Sequence, residues 1–288
     1  MGLDIGQALR EGASRTATKN GLILAVVFAG IALLTTVLLQ TFSVAVFDSA
    51  LSAFQSASPQ ELGLTQAEYD RSITDFESAL EDVREMSPLA VGISPGIATG
   101  GLLVLALLAE AVSIVAVRVF ATAETEAIPG DLATENIVFA TLNGFVGKVV
   151  VWGLILLGLV FLVIPGLAFA VLFYFIRQEI ALENKNFVQA MADSWRLTKG
   201  YRIEVFLLGV VLIVVSRLEE VSSGIVGLVS TTGGAVAAAV VGSLLSVFGA
   251  AVVTRAYVQI NEEAGSVDTE REEKDPYDAA LGPEDLTR

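Results

Sequence analysis

The sequence predicts an all-α, polytopic membrane protein with six transmembrane helices, one amphipathic helix at the cytoplasmic interface and another outside the membrane. Three observations lead there. Hydrophobic residues make up 54% of the 288, with a mean hydropathy of +0.70, more than an ordinary soluble domain carries. Several apolar runs reach about 20 residues, enough to cross a hydrocarbon core about 30 Å thick. The basic residues also sort to one side of the resulting topology.

Residues 1–20 form an amphiphilic cytoplasmic segment with Arg10, Arg15 and Lys19 ahead of the first apolar run. That run, 21–47, exceeds the apolar core of a signal peptide and reads as a retained span. Residues 48–88 make an acidic external loop, and within it Thr65 and Glu68 have the spacing of a capping box. Behind them Tyr69, Ile73, Phe76, Leu80 and Val83 fall on one stripe, predicting a helix over about 65–86. Such a stripe must be covered, either by the protein's own surface or by a second copy or partner.

The second span runs from Ile97 to about Val119 and ends at Arg118, before a polar link through Pro129 and Gly130. The apolar stretch 145–180 is broken only at Ile164, Pro165 and Gly166. Proline inside a helix costs about 3 kcal/mol, whereas at a helix start it is tolerated. Two antiparallel spans, 145–163 and 165–181, joined at Pro165 are therefore expected.

Asn186 is placed to cap a helix with Gln189 at its third position, and Gly200 to stop it. Phe187, Val188, Met191, Trp195 and Thr198 share a face, with Gln189, Asp193 and Arg196 opposite. Too short and polar to span, the helix at about 186–200 is expected at the interface, where Trp195 sits at headgroup level and Arg196, Lys199 and Arg202 meet phosphates. The fifth span starts at Ile203 and is expected to continue through Leu218 and Val221, with Arg217, Glu219 and Glu220 near the far interface. The sixth runs from about Ala235 to Tyr257. Along it Ser230, Gly234, Ala238, Gly242, Ser246, Ala250 and Thr254 form a row of small residues, the pattern of close helix packing in lipid. Residues 261–288 carry ten acidic residues against three basic ones and are expected to be a disordered cytoplasmic tail.

With both termini cytoplasmic, fourteen of the 17 basic residues fall inside, and only Arg71, Arg84 and Arg217 fall outside. That distribution obeys the positive-inside rule of a plasma-membrane protein. The 32 acidic residues, of net charge −15, with few lysines among the basic residues, resemble the acidic membrane proteins of halophilic archaea.

The absence of His and Cys removes the commonest general base, thiolate metal sites and any disulfide. Neither a nucleophile–base pair nor a phosphate-loop spacing is visible, so no catalytic, cofactor-binding or metal-binding residue is assigned. One carboxylate, Glu110, lies deep in a span, which marks a functional-site candidate. Lys148 or Arg177 of the neighbouring hairpin would be its partner. Two readings stand: a proton- or cation-coupling site, or a paired acid that pins two helices.

The Pro-Gly between two spans, then an acidic residue, then a helix closing in Ser-Trp-x-Leu-x-x-Gly, resembles a family of six-span proteins. It includes the membrane domain fused to some glycerophosphodiester phosphodiesterases and related bacterial and haloarchaeal membrane proteins. Its motif residues would be Pro165, Gly166, Glu183, Ser194, Trp195, Leu197 and Gly200. The resemblance implies a six-helix membrane domain without the catalytic barrel, which in that family is a separate soluble unit. The expected role is a non-enzymatic scaffold organising lipids or partners, the alternative a small-solute or ion transporter coupled through Glu110. Membrane lipids, a second copy or another membrane protein are the expected partners, with no nucleic acid.

Overall fold

The computed structural model describes residues 2–273, with side chains through 263. Among the described residues the regular structure is entirely helical: α1 (Ile5–Thr16), α2 (Lys19–Ser56), α3 (Gln66–Glu85), α4 (Pro95–Ala121), α5 (Gly130–Thr134), α6 (Ile137–Phe161), α7 (Val163–Leu172), α8 (Ile176–Glu183), α9 (Phe187–Leu197), α10 (Arg202–Gly227) and α11 (Thr231–Glu273). Five stretches are long and apolar enough to cross a membrane: α2, α4, α6, α7 with α8, and α11. At 26 residues α10 has the length of a span, but Arg217, Glu219 and Glu220 interrupt its outer part.

Local chemistry sets most of the boundaries. Thr18 and Ser94 accept hydrogen bonds from the backbones of Gly21 and Ile97, capping α2 and α4, and Pro95 occupies the first turn of α4. Both expected capping boxes form, Thr65 with Glu68 on α3 and Asn186 with Gln189 on α9. Gly200, at φ +104, takes the left-handed turn that only glycine adopts without strain.

Helix α2 has 38 residues, about 57 Å at 1.5 Å each, so it projects well past a bilayer core. Its projecting end receives α3. Phe54 stacks on Tyr69 at 5.4 Å and meets Phe76 at 5.5 Å, while Leu80 is buried and Asp70, Asp75, Glu81 and Asp82 remain exposed. The apolar stripe of α3 is thus covered by the chain itself.

Three buried clusters tie the bundle together. The first joins α4, α6, α7, α8 and α9 around Ile114, Val151, Leu172 and Ile180. A second joins α1, α10 and α11 around Val205, Leu208, Val252 and Phe175, and the third joins α2, α4 and α11 around Leu24, Phe120 and Val247. Helix α4 belongs to two clusters and α11 to the other pairing, so these two helices are the spine. Glycine sets how closely α1 docks: a methyl group at Gly12 would lie 2.3 Å from the Val252 side chain. Elsewhere the spans present large apolar side chains outward, among them Val26, Val104, Trp152 and Ile213, as lipid-facing surfaces do.

The structure corrects the sequence reading at four places. The hairpin turns at Leu162, whose extended backbone separates α6 from α7, and Pro165 is the third residue of α7 rather than the turn. The reason is packing: Gly158 and Gly166 bring the two backbones so close that a methyl group on Gly158 would sit 2.5 Å from the Gly166 nitrogen. The expected span 165–181 is not one helix, because Phe173 to Phe175 break it into α7 and α8. The small-residue row of α11 is only partly a packing face: Gly234 meets the backbone of Gly227, Gly242 meets the carboxyl of Glu219, Ala250 packs on the third cluster, and Ser246 stays exposed. Finally, α11 continues to Glu273, so the first part of the stretch 261–288 is helical rather than disordered; 274–288 lie outside the described residues.

Candidate functional site

The deepest charged group is Glu110, 1% exposed on α4. Both cations proposed for it converge there. Arg177, on the first turn of α8, donates from Nε to Oε1 at 2.9 Å and from Nη2 to Oε2 at 3.1 Å. Lys148 of α6 places Nζ 3.8 Å from Oε2. Two parallel, charge-assisted guanidinium bonds are roughly twice as strong as neutral ones and fix the geometry of the pair. Gly144 allows the approach, since a methyl group there would lie 2.9 Å from Oε1. A cavity of about 140 Å³ adjoins the pair, lined by Lys148, Trp152 and Tyr174 among others. Arg177 reaches Glu110 because α8 begins where it does: a helix continuous through Phe173–Phe175 would carry it elsewhere around the axis.

That break would leave backbone groups orphaned, and Ser194 of α9 satisfies them. Its hydroxyl accepts from the N–H of Phe175 at 3.2 Å and donates to the carbonyl of Leu172 at 2.9 Å, all in the interior. The small side chain fits flush between the helices, Ser194 being 0% exposed. Ser194→Ala should leave both backbone groups buried without partners and lower stability by about 1–3 kcal/mol. Thermal melts in detergent measure this, and Ser194→Thr, which keeps the hydroxyl, is expected to lose less than Ser194→Ala.

A second polar network clasps α8 to α9. Lys185 reaches Glu179 at 2.6 Å and Asp193 at 2.9 Å, and Asp193 also holds Arg196 at 2.7 Å. Burial would lower the Lys185 ammonium, but its hydrogen bonds and the charges of Glu179 and Asp193 outweigh that and hold it above the usual lysine range. Asp193 is held below its usual range, first by the hydrogen bond from Lys185 and then by the charges of Lys185 and Arg196. The buried acid of this region is therefore Glu179, whereas Glu183, the acid implied by the family motif, is exposed one turn later.

Arg118 is the other departure. Expected at the membrane surface, it is 4% exposed and serves as a donor hub. Nε donates to the carbonyl of Ala181 at 2.9 Å, Nη1 to those of Leu132 and Glu135 at 3.1 and 2.7 Å, and Nη2 to the Asn184 side chain at 3.4 Å. It gathers the link between α4 and α6 and the C-terminus of α8 onto one guanidinium. Asn20 does similar work for the preceding turn, donating from its side chain to the carbonyls of Glu124 and Ala127.

The interfacial residues lie together around the end of α9. Trp195 is 45% exposed, its ring 6.0 Å from that of Phe173. Arg196, Lys199 and Arg202 are exposed around it, while Phe187, Met191 and Leu197 turn inward. The face drawn from sequence is thus divided, Val188 and Trp195 pointing out and Thr198 buried.

These features define an all-helical membrane protein whose spans are pinned by sealed charges in one half of the bundle. Residues 3–260 match the family model described as Domain of unknown function (DUF7847), and the chain belongs to that family. No curated protein and no solved structure matches it.

Proposed function

We propose that the protein is a non-enzymatic, six-span plasma-membrane module that gathers anionic lipid at its cytoplasmic rim. The observation that carries this reading is the exposed group formed by Trp195, Lys199 and Arg202 beside a helix otherwise docked in the bundle. An indole at headgroup depth with cations around it has the chemistry of a phosphate-rich surface, each juxtamembrane cation contributing about 1 kcal/mol. The fifth of the six spans is α10, with Arg202 and Glu204 at its start and Arg217, Glu219 and Glu220 beyond its first four turns. The fourteen-to-three division of basic residues supports cytoplasmic termini. The acidic composition supports a saline habitat, where exposed carboxylates keep surfaces hydrated. Kinship with the membrane domain fused to glycerophosphodiester phosphodiesterases finds support in the packing of Gly166 and Ser194 and in the left-handed turn at Gly200.

Native mass spectrometry of the protein extracted into mixed lipid tests the proposal. Phosphatidylglycerol should be retained over phosphatidylcholine, and the variant combining Trp195→Ala, Lys199→Gln and Arg202→Gln should lose that preference while keeping its melting temperature. Equal retention of both lipids by the unaltered protein overturns the reading.

The helix break at Phe173–Phe175, next to Glu110 and its cavity, favours a second reading, transport of a small solute or ion with Glu110 as the coupling group. A flux in proteoliposomes that Glu110→Gln abolishes without unfolding the protein would establish it in place of the first.

A further inference from the structure

A further, half-buried carboxylate faces into the bundle, away from the lipid-facing rim and from the Glu110 and Glu179 pairs. Glu219 sits 17 residues along α10 from Arg202, about 26 Å, and eight residues, about 12 Å, short of the helix end at Gly227. Its carboxyl turns toward α11. It lies over Gly242 of α11, where a methyl group would come within 2.7 Å of a carboxylate oxygen. Among the described residues it has no hydrogen bond and no ion-pair partner, and the adjacent Arg217 is taken by Glu220.

Beside it is a cavity of about 370 Å³ between α2, α4, α10 and α11, in the size range of sites for small organic ligands. Its lining alternates between apolar groups, among them Phe28 and Ile31, and the hydroxyls of Thr35, Thr36, Ser243 and Ser246. The hydroxyls of Thr36, Ser243 and Ser246 already donate to carbonyls of their own helices, those of Ala32, Val240 and Gly242, whereas that of Thr35 has no hydrogen bond among the described residues. A hydroxyl has one proton and two lone pairs, so three of the four offer an occupant acceptor capacity alone. One unpaired carboxylate, three hydroxyls left only to accept, one free hydroxyl and apolar walls make a cavity in which acceptors outnumber donors. A carboxylate in this setting is costly unless a cation joins it.

We propose that this cavity binds a small ammonium cation, an alkylamine head whose N–H groups meet Glu219 and the hydroxyls and whose carbon body lies against the apolar wall. A bare alkali ion would not fill the space. The same chemistry is available from a free amine or from the headgroup of an aminolipid entering between the helices.

Isothermal titration of the full chain in nanodiscs with ethylammonium chloride, against sodium chloride at equal ionic strength, tests it. Saturable binding of ethylammonium alone is expected, at least tenfold weaker in Glu219→Gln. The double variant Ser243→Ala, Ser246→Ala keeps the charge, should weaken binding several-fold, and decides the matter if Glu219→Gln does not fold. Nanodiscs of phosphatidylglycerol with and without phosphatidylethanolamine separate the sources: competition by the lipid marks a headgroup site, and unchanged affinity marks a site for free amines. No saturable heat, equal binding of sodium, or full affinity in both variants would overturn the proposal.

Discussion

Glu110→Leu is expected to destabilise the protein by about 3–5 kcal/mol, the usual cost of breaking a buried ion pair from one side. The loss does not come from the attraction removed alone. Arg177 has packed its guanidinium toward α4 and Lys148 approaches the same point. With the acid gone, two cations face each other beside an apolar wall. The effect should therefore be non-additive. Glu110→Leu combined with Arg177→Leu should recover most of the stability, because Lys148 is 49% exposed and its long stem can carry the ammonium outward. Thermal melts of both variants in one detergent give the comparison. Equal losses in the single and double variants would mean that the pair contributes packing volume and no electrostatic coupling.

Arg118→Lys is the second substitution expected to be severe, although it preserves charge. Arginine serves three carbonyls and a side-chain amide here through a flat, forked donor set. An ammonium on a shorter reach satisfies one or two of these, leaving buried carbonyls unpaired at about 1–3 kcal/mol each. The damage should be local before it is global. Limited proteolysis should cut first between Thr122 and Asn136, the link that Arg118 holds through Leu132 and Glu135, while the rest of the bundle stays resistant. Melting of the variant should fall by a few kcal/mol equivalents. Uniform cleavage along the chain would show instead that Arg118 supports the whole bundle.

How much of this could be read from sequence depended on how local the cause was. Capping boxes at Thr65–Glu68 and Asn186–Gln189 lie within one turn, so their residues announce them. The stop at Gly200 is equally local. Glu110 was conspicuous because a lone acid in an apolar run demands a cation, and few cations lay on neighbouring spans. Nothing local distinguishes Glu179 from Glu183, however, since they share a helix face one turn apart. Only the fold brings Lys185 back over the former. Arg118 reads as a span-ending residue until the polar link folds back across it. The bridge made by Ser194 depends on a helix break 20 residues away, itself invisible in an unbroken apolar run. Nothing local shows that Glu219 turns onto Gly242, a contact made only when α10 packs on α11.

The hairpin of α6 and α7 has a bearing on how the protein is made. From Val149 to Phe175 there is no charged residue and no serine, threonine, asparagine or glutamine, and at its tip Val160 and Ile164 are each 80% exposed. Most pairs of spans must drag a hydrophilic connector through the oily layer during biogenesis, which is the slow, machinery-dependent part of insertion. This pair has nothing of that kind to drag. It can slide in tip first as a single greasy wedge from the side that keeps Lys148 and Arg177, without a conducting channel opening for a loop.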